Sequence, residues 1–104
     1  MIYEQRTYTC YPGKLQEFIH IYETEGFELQ MKVVGGLVGY FTSEIGALNQ
    51  AIHIWAFESF EDRLKRRAEL WSMPEWIEFA GKLNPLLAET ESKIMLPTKF
   101  SPLQ

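Results

Sequence analysis

An α+β fold, with four antiparallel strands and helices on one face of the sheet, is what this chain of 104 residues predicts. Three observations lead there. Strand-like and helix-like segments follow one another in the order β-α-β-β-α-α-β. The stretch "LNQAIHIWAFES" (Leu48–Ser59) alternates residue types with the period of two that belongs to a strand. The connection before it, "SEIGALN", is too short for a crossover, so the strands it joins lie antiparallel.

Each element has its own reason. Met1–Tyr11 is rich in Tyr and Thr and has no helix-length apolar stripe, so it reads as a strand. Pro12 and Gly13 stop it, and a helix opens at Gly13-Lys14. There Leu15, Phe18, Ile19, Tyr22 and Leu29 recur at helical spacing and turn one stripe toward a core. Gly26 lies within that stripe, where it either permits close packing or loosens the last turns. Gly35-Gly36 end the element, and "LVGYFTS" is the second strand. After the third strand, Ser59 and Asp62 have capping-box spacing and start a helix whose buried side is read as Phe60, Leu64, Ala68 and Trp71. Pro74 suits the first turn of a short helix, "PEWIEFAGKL", with Trp76, Phe79, Ala80 and Leu83 on one side. Asn84-Pro85 breaks it, "LLAETESKIML" is the fourth strand, and "PTKFSPLQ" is an extended tail. No repeat or linker interrupts the chain, so residues 1–104 form one domain.

Two β-α-β halves sharing one antiparallel sheet make a ferredoxin-like arrangement. The first and third strands are then neighbours in its centre, and the chain leaves one sheet face uncovered. In the third strand Ile52, Ile54 and Ala56 are assigned to the helices, which sends Asn49, Ala51, His53 and Trp55 to the uncovered side. Taking Tyr3, Gln5 and Thr7 as helix-facing sends Glu4, Arg6 and Tyr8 there too. Arg6, Tyr8, Asn49, His53 and Trp55 then surround one space and could orient an oxygen-bearing organic ligand. The alternative is that these are simply polar groups satisfied within an interface. The rings expected on that face (Tyr8, Phe41 or Tyr40, Trp55 and Phe57) are too large a patch to leave in water. A second copy roofing the sheet is the economical solution, giving a homodimer that could pair further.

Composition narrows the function classes. A net charge of −4 argues against a nucleic-acid surface, and the run Arg63-Leu64-Lys65-Arg66-Arg67, interleaved with acids, reads as a solvated helix face. The single Cys10 excludes an intramolecular disulfide and suits a reducing compartment. With only His20 and His53, and no HxxxH or HExxH spacing, neither a metal site nor another cofactor is expected. "GGLVG" lacks phosphate-loop spacing, and no serine lies in a nucleophile elbow. No apolar run approaches the roughly 18 residues that span a bilayer, and "MIYEQRTY" carries no signal segment. The expectation is a cytoplasmic protein without nucleic-acid or membrane partners.

The stretches "YEQRTYTCYPGK", "GGLVGYFTSEIGALNQAIHIWAFES", "DRLKRRAEL", "PEW" and "LPTKFSPL", in that order, resemble the NIPSNAP family, a branch of the dimeric α/β-barrel superfamily. The resemblance runs nearly end to end, with Gln5 standing where the family's first strand commonly has an apolar residue. It implies a ferredoxin-like fold and a homodimer, and it supplies no reaction. One functional reading is a protein binding a small organic molecule between the sheet and its partner. Another is a cofactor-independent monooxygenase acting on an aromatic or polyketide-like substrate, by analogy with the superfamily's antibiotic-biosynthesis and haem-degrading members. There Arg6 would stabilise an oxyanion and His53 would move a proton. A third is an interaction protein whose cavity is filled by its own side chains.

Overall fold

A computed structural model describes Met1–Gln104. Strand β1 is Ile2–Cys10, followed by helix α1 (Leu15–Ile21), a π-helical turn (Tyr22–Gly26) and helix α2 (Phe27–Val33). Strands β2 (Leu37–Thr42) and β3 (Gln50–Phe57) come next, then helices α3 (Phe60–Trp71) and α4 (Pro74–Leu83). A 3₁₀ turn (Asn84–Leu86) leads into strand β4 (Leu87–Met95). The sheet is antiparallel throughout with strand order β2-β3-β1-β4, which puts β1 and β3 in the centre as the element order predicts. The molecule is 19 Å thick along its shortest axis, which fits one sheet carrying one layer of helices.

Local chemistry accounts for the boundaries. The Ser59 hydroxyl accepts from the Asp62 backbone N–H at 3.1 Å, and the Asp62 carboxylate accepts from the N–H of Glu58 at 3.0 Å, closing the start of α3. Pro74 occupies the first turn of α4, where a missing N–H costs nothing. Gly26, at the end of the π-helical turn, meets the face of the Phe79 ring, so a Cβ there would fall inside that ring. This is the close packing that one reading of the position anticipates. Gly36 (φ +68°) brings its backbone against Ala56, whose N–H donates to the Gly36 carbonyl at 2.7 Å. The core lies between sheet and helices, built on Phe18, Tyr22, Trp55, Phe57, Leu70, Trp76 and Phe79.

Two assignments of sidedness are corrected. In β3 it is Ala51, His53, Trp55 and Phe57 that are buried beneath the helices, while Ile52, Ile54 and Ala56 lie half-exposed on the uncovered face. Register carries the inversion across β1: Glu4 pairs with Trp55, Arg6 with His53 and Tyr8 with Ala51, so they too face the helices. Gln5 and Thr7 pair with Ile54 and Ile52 on the open side. The ring patch expected there dissolves as well. Tyr8, Tyr40, Trp55 and Phe57 belong to or pack against the core, and only Phe41 stays on the open face, 58% exposed.

The second correction concerns α3. Of its stripe Phe60–Leu64–Ala68–Trp71, the first three point to solvent, with Phe60 57% and Leu64 68% exposed, while Trp71 is partly exposed and packs edge-on against Trp76 with ring centroids 6.1 Å apart. Leu70 is its buried residue, and Arg63 reaches inward to the sheet. Both errors have one cause. A carboxylate, Glu4, is 1% exposed within the sheet and requires cations from the helix above it. The arginines of the basic run therefore turn inward, and the apolar stripe of the same helix turns out.

Candidate functional site

The covered face of the sheet carries a saturated ion cluster. The Glu4 carboxylate accepts from Arg6 Nη1 at 2.8 Å, from Arg63 Nε and Nη2 at 3.0 Å each, and from the Ser92 hydroxyl at 2.5 Å. Burial alone would raise the Glu4 carboxyl. The hydrogen bonds from Arg63 and Ser92, with the charges of Arg6 and Arg63, outweigh it and hold the group down at about 2. Arg6 also donates Nε–H to the Tyr8 hydroxyl at 2.9 Å. That leaves the Tyr8 hydroxyl its own hydrogen to donate elsewhere.

His53 sits beside this cluster in an aromatic box. It stacks on Tyr40 with ring centroids 4.4 Å apart and meets Tyr8 edge-on at 4.9 Å. The Trp55 indole N–H donates to His53 Nδ1 at 2.6 Å. An accepting Nδ1 on a neutral ring places the proton on Nε2. Burial, reinforced by the Arg6 charge and only partly offset by Glu4, pushes the imidazole down to about 3, so it is neutral over the whole physiological range. Its Nε2–H has no partner, and neither does the indole N–H of Trp76. His53 is 3% exposed and Trp76 7%. A buried donor left unmade costs about 1–3 kcal/mol, so two at one place call for an explanation.

Both orphan donors line the same cavity. It lies between the sheet and the helix layer with a volume of ≈ 90 Å³, and a smaller lobe of ≈ 50 Å³ adjoins it, the two sharing Tyr8, Gln30, Trp71 and Trp76 in their lining. The larger lobe holds His53 against the apolar surface of Tyr22, Phe79 and Leu83. The smaller lobe holds Glu4, Arg6 and Arg67. Arg67 is half-buried and forms no ion pair, and burial together with the nearby Arg6 pushes its guanidinium downward. Gln30 accepts from the Tyr22 hydroxyl at 2.5 Å, which leaves its NH₂ as a further donor. The lining is thus rich in donors, and the Asn84 carboxamide at the larger lobe offers a donor and an acceptor together.

Of the residues singled out in the sequence, Arg6, Tyr8, His53 and Trp55 come together, on the covered side of the sheet instead of the open one. Asn49 stands apart. It ends the β2–β3 loop in the left-handed region (φ 61°), its backbone carbonyl accepting from the Cys10 N–H at 2.8 Å. His20 is exposed, as its place opposite the helical stripe predicts. No group of three or more His, Cys, Asp or Glu side chains is disposed to hold a metal ion. No helix is long and apolar enough to cross a membrane. Sequence reasoning missed Gln30, Arg67 and Trp76. The available signal for Arg67 was the spacing Arg63–Arg67–Leu70, a second helical face competing with the apolar one.

Comparison with known proteins gives a consistent picture. The family model described as NIPSNAP matches residues 3–102. The Dictyostelium discoideum protein NipSnap homolog is 40% identical over 99 residues, covering 95% of this chain and 44% of that protein. Human protein NipSnap homolog 2 is 36% identical, covering 99% of this chain and 35% of that one. The chain therefore spans less than half the length of these curated relatives. Among solved structures, a NIPSNAP family protein of unknown function from Agrobacterium tumefaciens is 47% identical with a TM-score of 0.96, covering 100% of this chain and 94% of that one. A Nitrosomonas europaea protein described as an antibiotic biosynthesis monooxygenase superposes with a TM-score of 0.68 at 10% identity, covering 93% of this chain and 98% of that one. That likeness is one of fold alone.

Proposed function

The chain belongs to the NIPSNAP family, whose biochemical role is unknown, and from that premise we propose that it is a homodimeric protein that binds a small organic molecule between its own sheet and helices. The observation that carries the reading is the pair of buried, unpartnered ring N–H groups, on His53 and Trp76, lining one cavity. A ligand oxygen accepting from either would remove a standing penalty, which is what a preformed binding site offers. The site expected between the sheet and a partner has moved to the other face because Arg6, Tyr8, His53 and Trp55 lie there. At ≈ 90 and ≈ 50 Å³ the lobes suit a molecule of few carbon atoms. The test is a fragment screen by ¹H–¹⁵N NMR read at the indole N–H signals. Hits should shift Trp76 and lose their effect in Trp76→Phe. A screen that moves no indole signal sinks the reading.

Dimerisation is supported by the opposite face. Ile52, Ile54 and Ala56 lie half-exposed there beside Phe41, a strip that a second sheet could cover. The outward side chains of Phe60 and Leu64 offer a further surface for pairing beyond the dimer. Sedimentation should find a dimer for the wild type and a monomer for Ile54→Lys. A monomeric wild type at high micromolar concentration overturns this part. A reducing compartment such as the cytoplasm suits the buried free thiol of Cys10.

Catalysis by the monooxygenase route has weaker support. His53 keeps its proton on Nε2 and is held at about 3, which makes it a poor base at neutral pH. Arg6 is already committed to Glu4 and Tyr8. Binding is the reading these side chains favour.

A further inference from the structure

The two lobes differ in chemistry, and the difference identifies a class of ligand. The smaller one is electropositive. Arg6 and Arg63 both bind Glu4, so their two charges meet one carboxylate, and Arg67 adds a third guanidinium with no carboxylate of its own. Nothing acidic besides Glu4 lines that lobe, and all its hydrogen bonds go to Arg6, Arg63 and Ser92. A half-buried guanidinium that pairs with no carboxylate of the chain suits an anion of matching geometry, and a carboxylate is the planar partner that a guanidinium fork takes best. The larger lobe has no charged lining residue. Its apolar walls are Tyr22, Phe79, Ala80, Leu83 and Leu87; the Gln30 and Asn84 carboxamides also line it, and the hydrogen-bond donors of His53 and Trp76 are its two buried polar groups without a partner.

Resting on the binding reading above, we propose that the ligand is a small carboxylic acid bearing a second acceptor oxygen, an oxo- or hydroxy-acid, held at both ends. Its carboxylate pairs with Arg67 in the electropositive lobe. Its short carbon body passes between Tyr8 and Trp76, which belong to both lobes. Its oxo or hydroxyl oxygen accepts from His53 Nε2–H, Trp76 Nε1–H or both. The unpartnered N–H groups of His53 and Trp76 and the guanidinium charge of Arg67 discriminate against amines and other cations, whose own N–H groups and charge they would face. The neutral state of His53 matters here. Trp55 fixes the tautomer that turns N–H, and not a lone pair, into the lobe.

The test compares charge at constant shape. A panel of short-chain oxo- and hydroxycarboxylates, about three to five carbons long, is titrated against the full chain, each beside its primary amide, with the Trp76 indole and the His53 ring followed by NMR. The acids are expected to bind about tenfold or more tightly than their amides, the worth of one charge-assisted hydrogen bond. Arg67→Met, which keeps the stem and removes the fork, should bring acid and amide to equal affinity, the acid losing more than the amide. Trp76→Phe should weaken both alike. Amides that bind as well as acids, or an Arg67→Met variant that keeps the preference, overturn the ligand class and leave the binding site standing. If neither series moves Trp76 or His53, the binding site itself falls. The wild-type comparison needs no variant to fold.

Discussion

One face of this sheet buries a glutamate, an arginine and a histidine, whereas the other leaves two isoleucines half in water. By composition the two should be reversed. Ile52, Ile54 and Ala56 look like core, and Glu4, Arg6 and His53 look like surface, yet the helices lie over the second set. What decides is the sum across the layer, not the hydropathy of one strand. Arg63 from α3 and Ser92 from β4 close the shell of Glu4, Tyr40 and Tyr8 box His53, and Trp55 satisfies its Nδ1. A polar group is tolerated in a core once its partners are present, and only His53 Nε2–H and Trp76 Nε1–H remain without one. The open face has no such partners and asks only for a surface to cover it.

The contrast can be broken most severely at Glu4. Glu4→Gln leaves Arg6 and Arg63 without the carboxylate they share, and urea unfolding should show a loss of about 3–5 kcal/mol. Gly26→Ala strikes the same covered side through packing, because its methyl meets the Phe79 ring. About 1–3 kcal/mol is expected by the same measurement.

Acid sharpens the comparison next. His53 titrates at about 3 in the folded protein against an ordinary 6.5, so below 6.5 the unfolded chain takes up a proton that the folded one refuses. Its contribution is complete above about 6.5 and is lost as pH falls toward 3, at up to about 1.4 kcal/mol per pH unit. Glu4, at about 2 against 4.5, has the same sign and steepens the loss only below 4.5. Unfolding free energies between pH 7.5 and 5 should therefore fall, and His53→Gln should flatten that segment. The smallest effect belongs to the open face. Thr7→Ala, tested in the monomeric Ile54→Lys background, should stay within about 0.5 kcal/mol of its parent.

Much of this was legible beforehand. Strand order and helix boundaries follow from Ser59, Pro74, Pro12-Gly13 and Gly35-Gly36, whose effects are local and act wherever the chain goes. The grouping of Arg6 and Tyr8 with His53 and Trp55 was also readable, since alternation and the β1–β3 pairing fix which residues share a face. Trp76 appeared only as one of an apolar stripe on α4, which hides that its N–H ends without a partner. Asn49 was grouped with the site by parity, but parity fails at a loop residue with positive φ.

By itself, then, the order of residues determined the elements, their antiparallel pairing and the membership of each face, because those depend on caps, breakers and a two-residue period. Which face lies under the helices was decided only in three dimensions. Alternation is symmetric under exchange of the two faces, and that symmetry is broken by partners brought together from distant parts of the chain, among them Glu4 with Arg63, fifty-nine residues apart, and Glu4 with Ser92.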